Sequence, residues 1–182
     1  MEICWGVVAL IVIIIVLYNV LAPRYQITLA GSTSTVFEDP NIKIAFGFKA
    51  KENLRKLTII PFSIHNKTSQ PMQILWDSCA FVNPNSNSCR VIHTGVKLIN
   101  KEAPQSPTIL ASNSNISDML IPVDNIKWDS GGKDSVGDWK YSLLLKRWAG
   151  KESFKFSVLL LLKAGEESKP YEFEFIAKKP SK

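Results

Sequence analysis

Apolar and polar residues alternate with a period of two along most of this chain, the pattern of strands buried on one side. Ile42, Ile44, Phe46 and Phe48 point one way, and Lys43, Ala45, Gly47 and Lys49 the other. A charged turn at 51–56 leads into residues 57–65, rich in β-branched and aromatic side chains. The phase of that run shifts near Ile59-Ile60-Pro61. Proline removes a ladder donor, so a bulge or an edge strand is expected there. A turn cluster fills 66–71, after which Met72, Ile74 and Trp76 resume the alternation. Residues 91–99, 116–123 and 141–145 are short strand candidates. Phe154, Phe156, Val158, Leu160 and Leu162 form one face of a strand, and Leu159 and Leu161 predict that its far end is covered on both sides. After a turn at 164–168, Tyr171, Phe173 and Phe175 face inward with Glu172 and Glu174 outward, which predicts a hairpin. No sustained helical stripe and no internal repeat follows residue 22. The prediction is an all-β chain, an antiparallel β-sandwich or barrel.

Residues 3–22 break the alternation. They are twenty consecutive uncharged residues, and Asn19 is the one strongly polar side chain among them. A helix of that length spans about 30 Å, the thickness of a bilayer's hydrocarbon core. A cleaved secretory signal would want a basic start and small residues at the cut. Here the start is Met1-Glu2, and Pro23 directly after Ala22 should block cleavage. A core helix seldom stays apolar all round for so long. Trp5, Tyr18 and Tyr25 lie towards the ends of the run, as interfacial rings do. The expected organisation is a membrane anchor over 1–24 with a transmembrane helix at 3–22, a linker or first strand over 25–36, a β-sandwich over 37–178 and a basic tail at 179–182. Arg24 weakly favours a cytoplasmic domain. The cysteines considered below favour an extracytoplasmic one.

All 22 Lys and Arg lie beyond Ala22 with 15 of the 16 acids, so the domain carries a net charge of +7. The cations are spread through the sequence: Lys49, Lys51, Arg55 and Lys56, then Lys146 and Arg147, then Lys178, Lys179 and Lys182. Nucleic-acid binding would want a concentrated basic face, so no nucleic-acid partner is expected. A solvated surface, favoured near anionic lipid headgroups, fits the dispersal better.

Candidate chemistry is sparse. A hairpin centred near Pro84 would set Cys79 and Cys89 opposite each other, within reach of an extracytoplasmic disulfide. Such a closed loop would stabilise by about 2–3 kcal/mol. Two reduced thiols in a cytoplasmic domain are the alternative. No CxxC pair supports zinc, and no metal or cofactor is expected. His65 and His93 sit among apolar neighbours, as hydrogen-bonded structural histidines do, and neither a G-x-S-x-G nor an H-E-x-x-H pattern is present. Asp77, Arg90 and Asp124 suit structural roles, an Asp–Arg pair tying two strands among them. The loop 129–138 is rich in Gly and Asp, but its spacing is wrong for an EF-hand and Lys133 opposes a cation. Trp128, Trp139 and Trp148 surround that loop, and a partner surface is expected there. Asn66-Lys67-Thr68 and Asn115-Ile116-Ser117 match the glycosylation acceptor pattern, which their turn and strand positions explain without modification.

Three stretches resemble a loosely defined group of bacterial exported proteins and lipoproteins with an immunoglobulin-like sandwich. They are 62–68 running through Pro71 into Ile74-Leu75-Trp76-Asp77, then Arg90-Val91-Ile92-His93-Thr94-Gly95, then Ile121-Pro122-Val123-Asp124-Asn125-Ile126. The resemblance covers about residues 37–177. It implies an envelope setting and supplies no activity and no functional residues. This chain departs from the lipoproteins by a helix where they carry a lipidated cysteine. The expected function is that of a non-enzymatic binding or adaptor domain, anchored once in the bacterial inner membrane and acting on an envelope protein partner. A structural subunit of an envelope or secretion assembly is the nearest alternative, and an enzyme of unrecognised type the third.

Overall fold

The computed structural model describes residues 8, 12, 13, 23–131 and 136–180. Val8, Val12 and Ile13 are helical and exposed. The rest of the expected transmembrane helix at 3–22 lies outside the described residues. Among the described residues no helix is long and apolar enough to cross a membrane.

The described chain is all-β and antiparallel. Its strands are β1 (Gln26–Leu29), β2 (Val36–Glu38), β3 (Ile42–Phe46), β4 (Ile60–Asn66), β5 (Met72–Ile74), β6 (Ala80–Val82), β7 (Ser88–Ile92), β8 (Thr108–Leu110), β9 (Asn115–Pro122), β10 (Ile126–Asp129), β11 (Asp138–Tyr141), β12 (Ser153–Ala164) and β13 (Glu167–Lys178). One sheet runs in the order β1-β13-β12-β6-β7-β9-β4-β3-β2. β5 pairs with the other half of β12 and carries β8 on its far side, and β10 and β11 form a separate ribbon.

The β12–β13 hairpin is the frame. Its strands pair without a break from Ser153↔Lys178 to Ala164↔Glu167. Gly165, at φ 58°, opens a two-residue turn whose twist matches the strands. Phe154, Phe156, Val158, Leu160 and Leu162 are buried from one strand, Tyr171, Phe173 and Phe175 from the other. The sheet then curls until β3 meets this face. Phe46 packs edge-on against Phe173 and Phe175, with ring centroids 5.1 and 4.8 Å away. Phe48 reaches Phe175 at 5.3 Å, and Phe156 stacks on Phe175 at 5.0 Å. Phe46, Phe156, Phe173 and Phe175 are buried and each stabilises by about 1.5–3 kcal/mol, whereas Phe48 is only partly covered.

The structure corrects several local expectations. β4 pairs with β3 on one side and β9 on the other, with no bulge in its register to β9. It is an interior strand that begins at Ile60, so the phase shift marks its start. The Pro61 carbonyl accepts the Gly47 amide at 2.7 Å, beyond the last residue of β3. A residue's N and O point to the same side of an antiparallel strand, so the missing donor falls where pairing with β3 has ended. β7 stops at Ile92, because Gly95 (φ 91°) turns the chain and Leu98–Asn100 forms a 3-10 turn. β11 stops at Tyr141, and Leu144 and Leu145 are buried from a loop, the Leu144 amide donating to the Leu57 carbonyl at 2.9 Å. Of the two expectations for 25–36, a linker or a first strand, residues 26–29 form the strand, pairing with β13 from Gln26↔Lys178 to Leu29↔Phe175.

Two polar residues lock the connections. Asn66 is fully buried; its amide donates to the carbonyls of Gln70, Leu110 and Ala111, and its oxygen accepts from Thr68. That burial removes Asn66 as a glycosylation acceptor in the folded chain. Asp39, in the β2–β3 turn, accepts the amides of Asn41 and Ile42, both at 2.8 Å. Its other oxygen accepts from Lys169 at 3.1 Å and the Tyr171 hydroxyl at 3.0 Å, both on β13. Burial pushes the Asp39 carboxyl up, but these four donors outweigh it and hold it below the ordinary value.

A carboxyl depressed in the folded state stabilises above its unfolded pKa and loses that contribution as pH falls through the folded value. Thermal unfolding of the native chain should therefore become steeply acid-sensitive below about pH 4. Asp39→Asn should lower the midpoint at pH 7 and flatten the fall between pH 4 and pH 2. Parallel acid profiles for the two proteins would contradict this role.

Candidate protein-binding surface

The β10–β11 ribbon is amphipathic across its width. The register pairs Ile126 with Tyr141, Lys127 with Lys140, Trp128 with Trp139 and Asp129 with Asp138. Alternation then puts Ile126, Trp128, Trp139 and Tyr141 on one face and Lys127, Asp129, Asp138 and Lys140 on the other. On the charged face like residues stand directly opposite, which alone would destabilise the ribbon. The diagonal Lys140–Asp129 ion pair offsets this. The hydrogen bond to Lys140 holds the Asp129 carboxyl low, and the same contact raises Lys140.

The aromatic face is half covered. Ile126 belongs to a small second core with Ile92, Ile121 and Val123, and Trp139 packs against it. Trp128 meets Trp139 edge-on at 5.4 Å and remains 55% exposed, while Tyr141 is 44% exposed. Trp128 is nonetheless held in place. A Cβ on Gly137 would lie 2.5 Å from its Cζ2, so the indole lies directly over the glycine backbone. The base of the ribbon is tied by the Ser142 amide to the Asn125 carbonyl at 2.6 Å and by the Asn125 side chain to the Leu143 carbonyl at 3.3 Å. Rigid, exposed aromatic rings lose little side-chain entropy on binding, the property of interface anchors.

Trp148 does not join them. It is 7% exposed and packs 6.3 Å from Phe154 in the main core. The expected three-tryptophan surface is therefore two tryptophans and Tyr141. Residues 132–135 of the intervening loop lie outside the described residues. Beside the ribbon's base is a polar cavity of about 270 Å³, lined by Phe81, Cys89, Asp124, Asn125, Lys127 and Arg147 among others.

Both described cysteines are free thiols. The β6–β7 register sets Phe81, not Cys79, opposite Cys89, so the expected face-to-face pairing is displaced by two residues. Cys79 instead donates its thiol proton to the Leu75 carbonyl at 3.3 Å. Burial pushes both thiols up to about 11, helped at Cys89 by the charge of Asp124.

His93 lies flat on Trp76, ring centroids 4.3 Å apart at 6°, with Nδ1 3.3 Å from Asp118. The same carboxylate accepts the amides of Thr94 at 2.9 Å and Met119 at 2.7 Å. The His93 and Thr94 contacts fix the turn after β7, and the Met119 amide holds the carboxylate within β9. His65 rests its Nδ1 3.2 Å from the Ser114 carbonyl. Asp77 and Arg90 do pair, but both side chains are partly exposed. Arg90 also donates to the Ala103 carbonyl, and Asp77 accepts the Gln105 amide at 3.1 Å, so the pair anchors the 101–105 loop. Among the described residues no group of three His, Cys, Asp or Glu is placed to hold a metal ion.

The sequence reading missed Gly137, Tyr141 and Asp118. The first two had a signal: Ile126-Lys-Trp-Asp129 and Asp138-Trp-Lys-Tyr141 are mirror images, the pattern of facing hairpin strands. Asp118, remote in sequence from His93, had none.

No family model and no curated protein matches this chain. A solved structure, the crystal structure of a protein from Archaeoglobus fulgidus, is similar at 12% identity over 80% of this chain and 98% of that one, with a TM-score of 0.30.

Two outcomes are expected. Gly137→Ala should displace the Trp128 ring and abolish the Trp128–Trp139 exciton signal in circular dichroism, leaving the melting of the main sheet nearly unchanged; an intact signal would show that the glycine does not seat the ring. A thiol at pKa 11 carries about a hundredfold less thiolate at neutral pH than one at 9. Alkylation of Cys79 and Cys89 in the folded chain should be slower by at least that factor than in urea, and equal rates would refute the burial of both.

Proposed function

We propose that this protein is a membrane-anchored, non-enzymatic adaptor of the bacterial cell envelope that docks a partner protein on the aromatic face of the β10–β11 ribbon. The carrying observation is that Trp128 and Tyr141 stand exposed on a ribbon outside the main sheet while Trp139 and Gly137 hold the indole in one place. An apolar face next to an alternating Lys/Asp face suits an interface with an aromatic centre and a charged rim. We also read the curled sheet as an immunoglobulin-like sandwich. One layer would hold β1, β13, β12, β5, β6, β7 and β8, and the other β2, β3, β4 and β9. The short β7–β9 pairing, Val91↔Pro122 and Ile92↔Ile121, would be the link between them. The anchor rests on residues 3–22, and the envelope setting on the family resemblance.

A photo-crosslinking side chain placed singly at positions 127, 128, 140 and 141 of the full chain in cells tests the docking face. Positions 128 and 141 should give one discrete adduct that positions 127 and 140 do not. Equal adducts from both faces, or none from the aromatic one, would remove the ribbon as the docking surface.

A further inference from the structure

The three basic clusters that lie far apart in sequence meet at one end of the domain, around the point where the chain leaves towards residues 3–22. Tyr25, three residues beyond Ala22, is fully buried there. Its backbone pairs with Glu52, amide to carbonyl at 2.9 Å and back at 2.7 Å, which brings the 49–56 turn beside it. Its hydroxyl donates to the Lys151 carbonyl at 2.7 Å, which brings in the loop after Trp148. Its neighbour Gln26 pairs with Lys178, and the Lys179 amide donates to the Glu152 carbonyl at 2.9 Å, which brings in the end of β13.

Arg24, Lys51, Lys56, Lys146, Arg147 and Lys151 are all exposed on these segments, with Lys178 beside them. The acids among them are already engaged. Glu52 is buried and accepts the amides of Lys49 at 3.0 Å and Asn53 at 3.1 Å. Glu152 pairs with Lys179 at 2.7 Å. Among the described residues the exposed cations named here outnumber these acids and Asp124, which lines the same cavity as Arg147, and the position of the positive excess is tied to the end of the apolar run at Ala22 by the buried seat of Tyr25.

We propose that this basic end of the domain rests on anionic lipid headgroups. The inference rests on the reading of residues 3–22 as an anchor and adds to it a seated orientation of the domain. With no free linker between Ala22 and the buried Tyr25, an anchored chain holds these cations within a Debye length of the bilayer surface, where attraction to anionic lipid is strongest. The aromatic ribbon then presents its face from a domain of fixed pose.

The test is amine acetylation of the full chain in vesicles of phosphatidylcholine alone and of phosphatidylcholine with one third phosphatidylglycerol, read lysine by lysine by mass spectrometry. A membrane-permeant reagent makes the result independent of which side the domain faces. Lys51, Lys56, Lys146 and Lys151 should react several-fold more slowly in the anionic vesicles, and high salt should erase the difference. Lys43 and Lys163, outside the cluster, should react equally in both. Equal rates at the four lysines, or uniform slowing at all six, would overturn the proposal. Alkaline carbonate extraction of the same vesicles reads the anchor separately. A chain that resists extraction without lysine protection keeps its anchor and loses the seated surface. A chain extracted from both vesicles yet protected only by anionic lipid keeps the surface and loses the anchor.

Discussion

Burial of one aromatic layer, between the β12–β13 hairpin and β3, is the constraint on which the other features of this domain depend. Phe46 and Phe48 reach it from one side, and Phe156, Phe173 and Phe175 from the other. Rings this large cannot be covered by a flat sheet, so the sheet curls until its own face covers them. Curling brings the β2–β3 turn to β13, where Asp39 meets Lys169 and Tyr171. It also leaves the start of β1 and the end of β13 side by side, which gathers the basic turns around Tyr25.

The ribbon is a consequence of a second, smaller apolar cluster. Ile92, Ile121, Val123 and Ile126 bury one another away from the main core, and that patch is too small to cover both tryptophans. Trp139 takes the covered side and Trp128 the open one. The aromatic pair thus rests on a small core through Trp139, with the ribbon tied at its base by Asn125 and Ser142, while Trp128 stays exposed. The seated basic end and the aromatic ribbon make separate demands on sequence, one on charge and the other on ring packing.

The chemistry-bearing residues were absorbed by structure. His93, Asp118 and Trp76 form a closed stack around the turn after β7. Asp77 and Arg90 fasten a loop. Cys79 and Cys89 are shielded thiols with little thiolate at neutral pH. Some of these partners are local, as Leu75 is to Cys79, and others, as Asp118 to His93, come from a different strand.

Strand identity was legible wherever one face is buried, because the two-residue period is a local property. Ile42 to Phe46, Phe154 to Leu162 and Tyr171 to Phe175 could be read directly, and so could the all-β class. Strand ends were less legible, since β7 and β11 stop where a turn or a buried loop takes over, not where the apolar residues stop. Register was not legible at all for the cysteines, and a shift of two residues decided that Phe81, not Cys79, faces Cys89. Trp148 and Trp128 look alike in sequence, and only the curl of the sheet put one in the core and the other in solvent. The same holds for charge. The sequence determined how many cations this domain carries and that some of them cluster in two turns and at the C-terminal tail; only the tertiary structure, by pairing Tyr25 with Glu52 and Gln26 with Lys178, decided that those segments share one end.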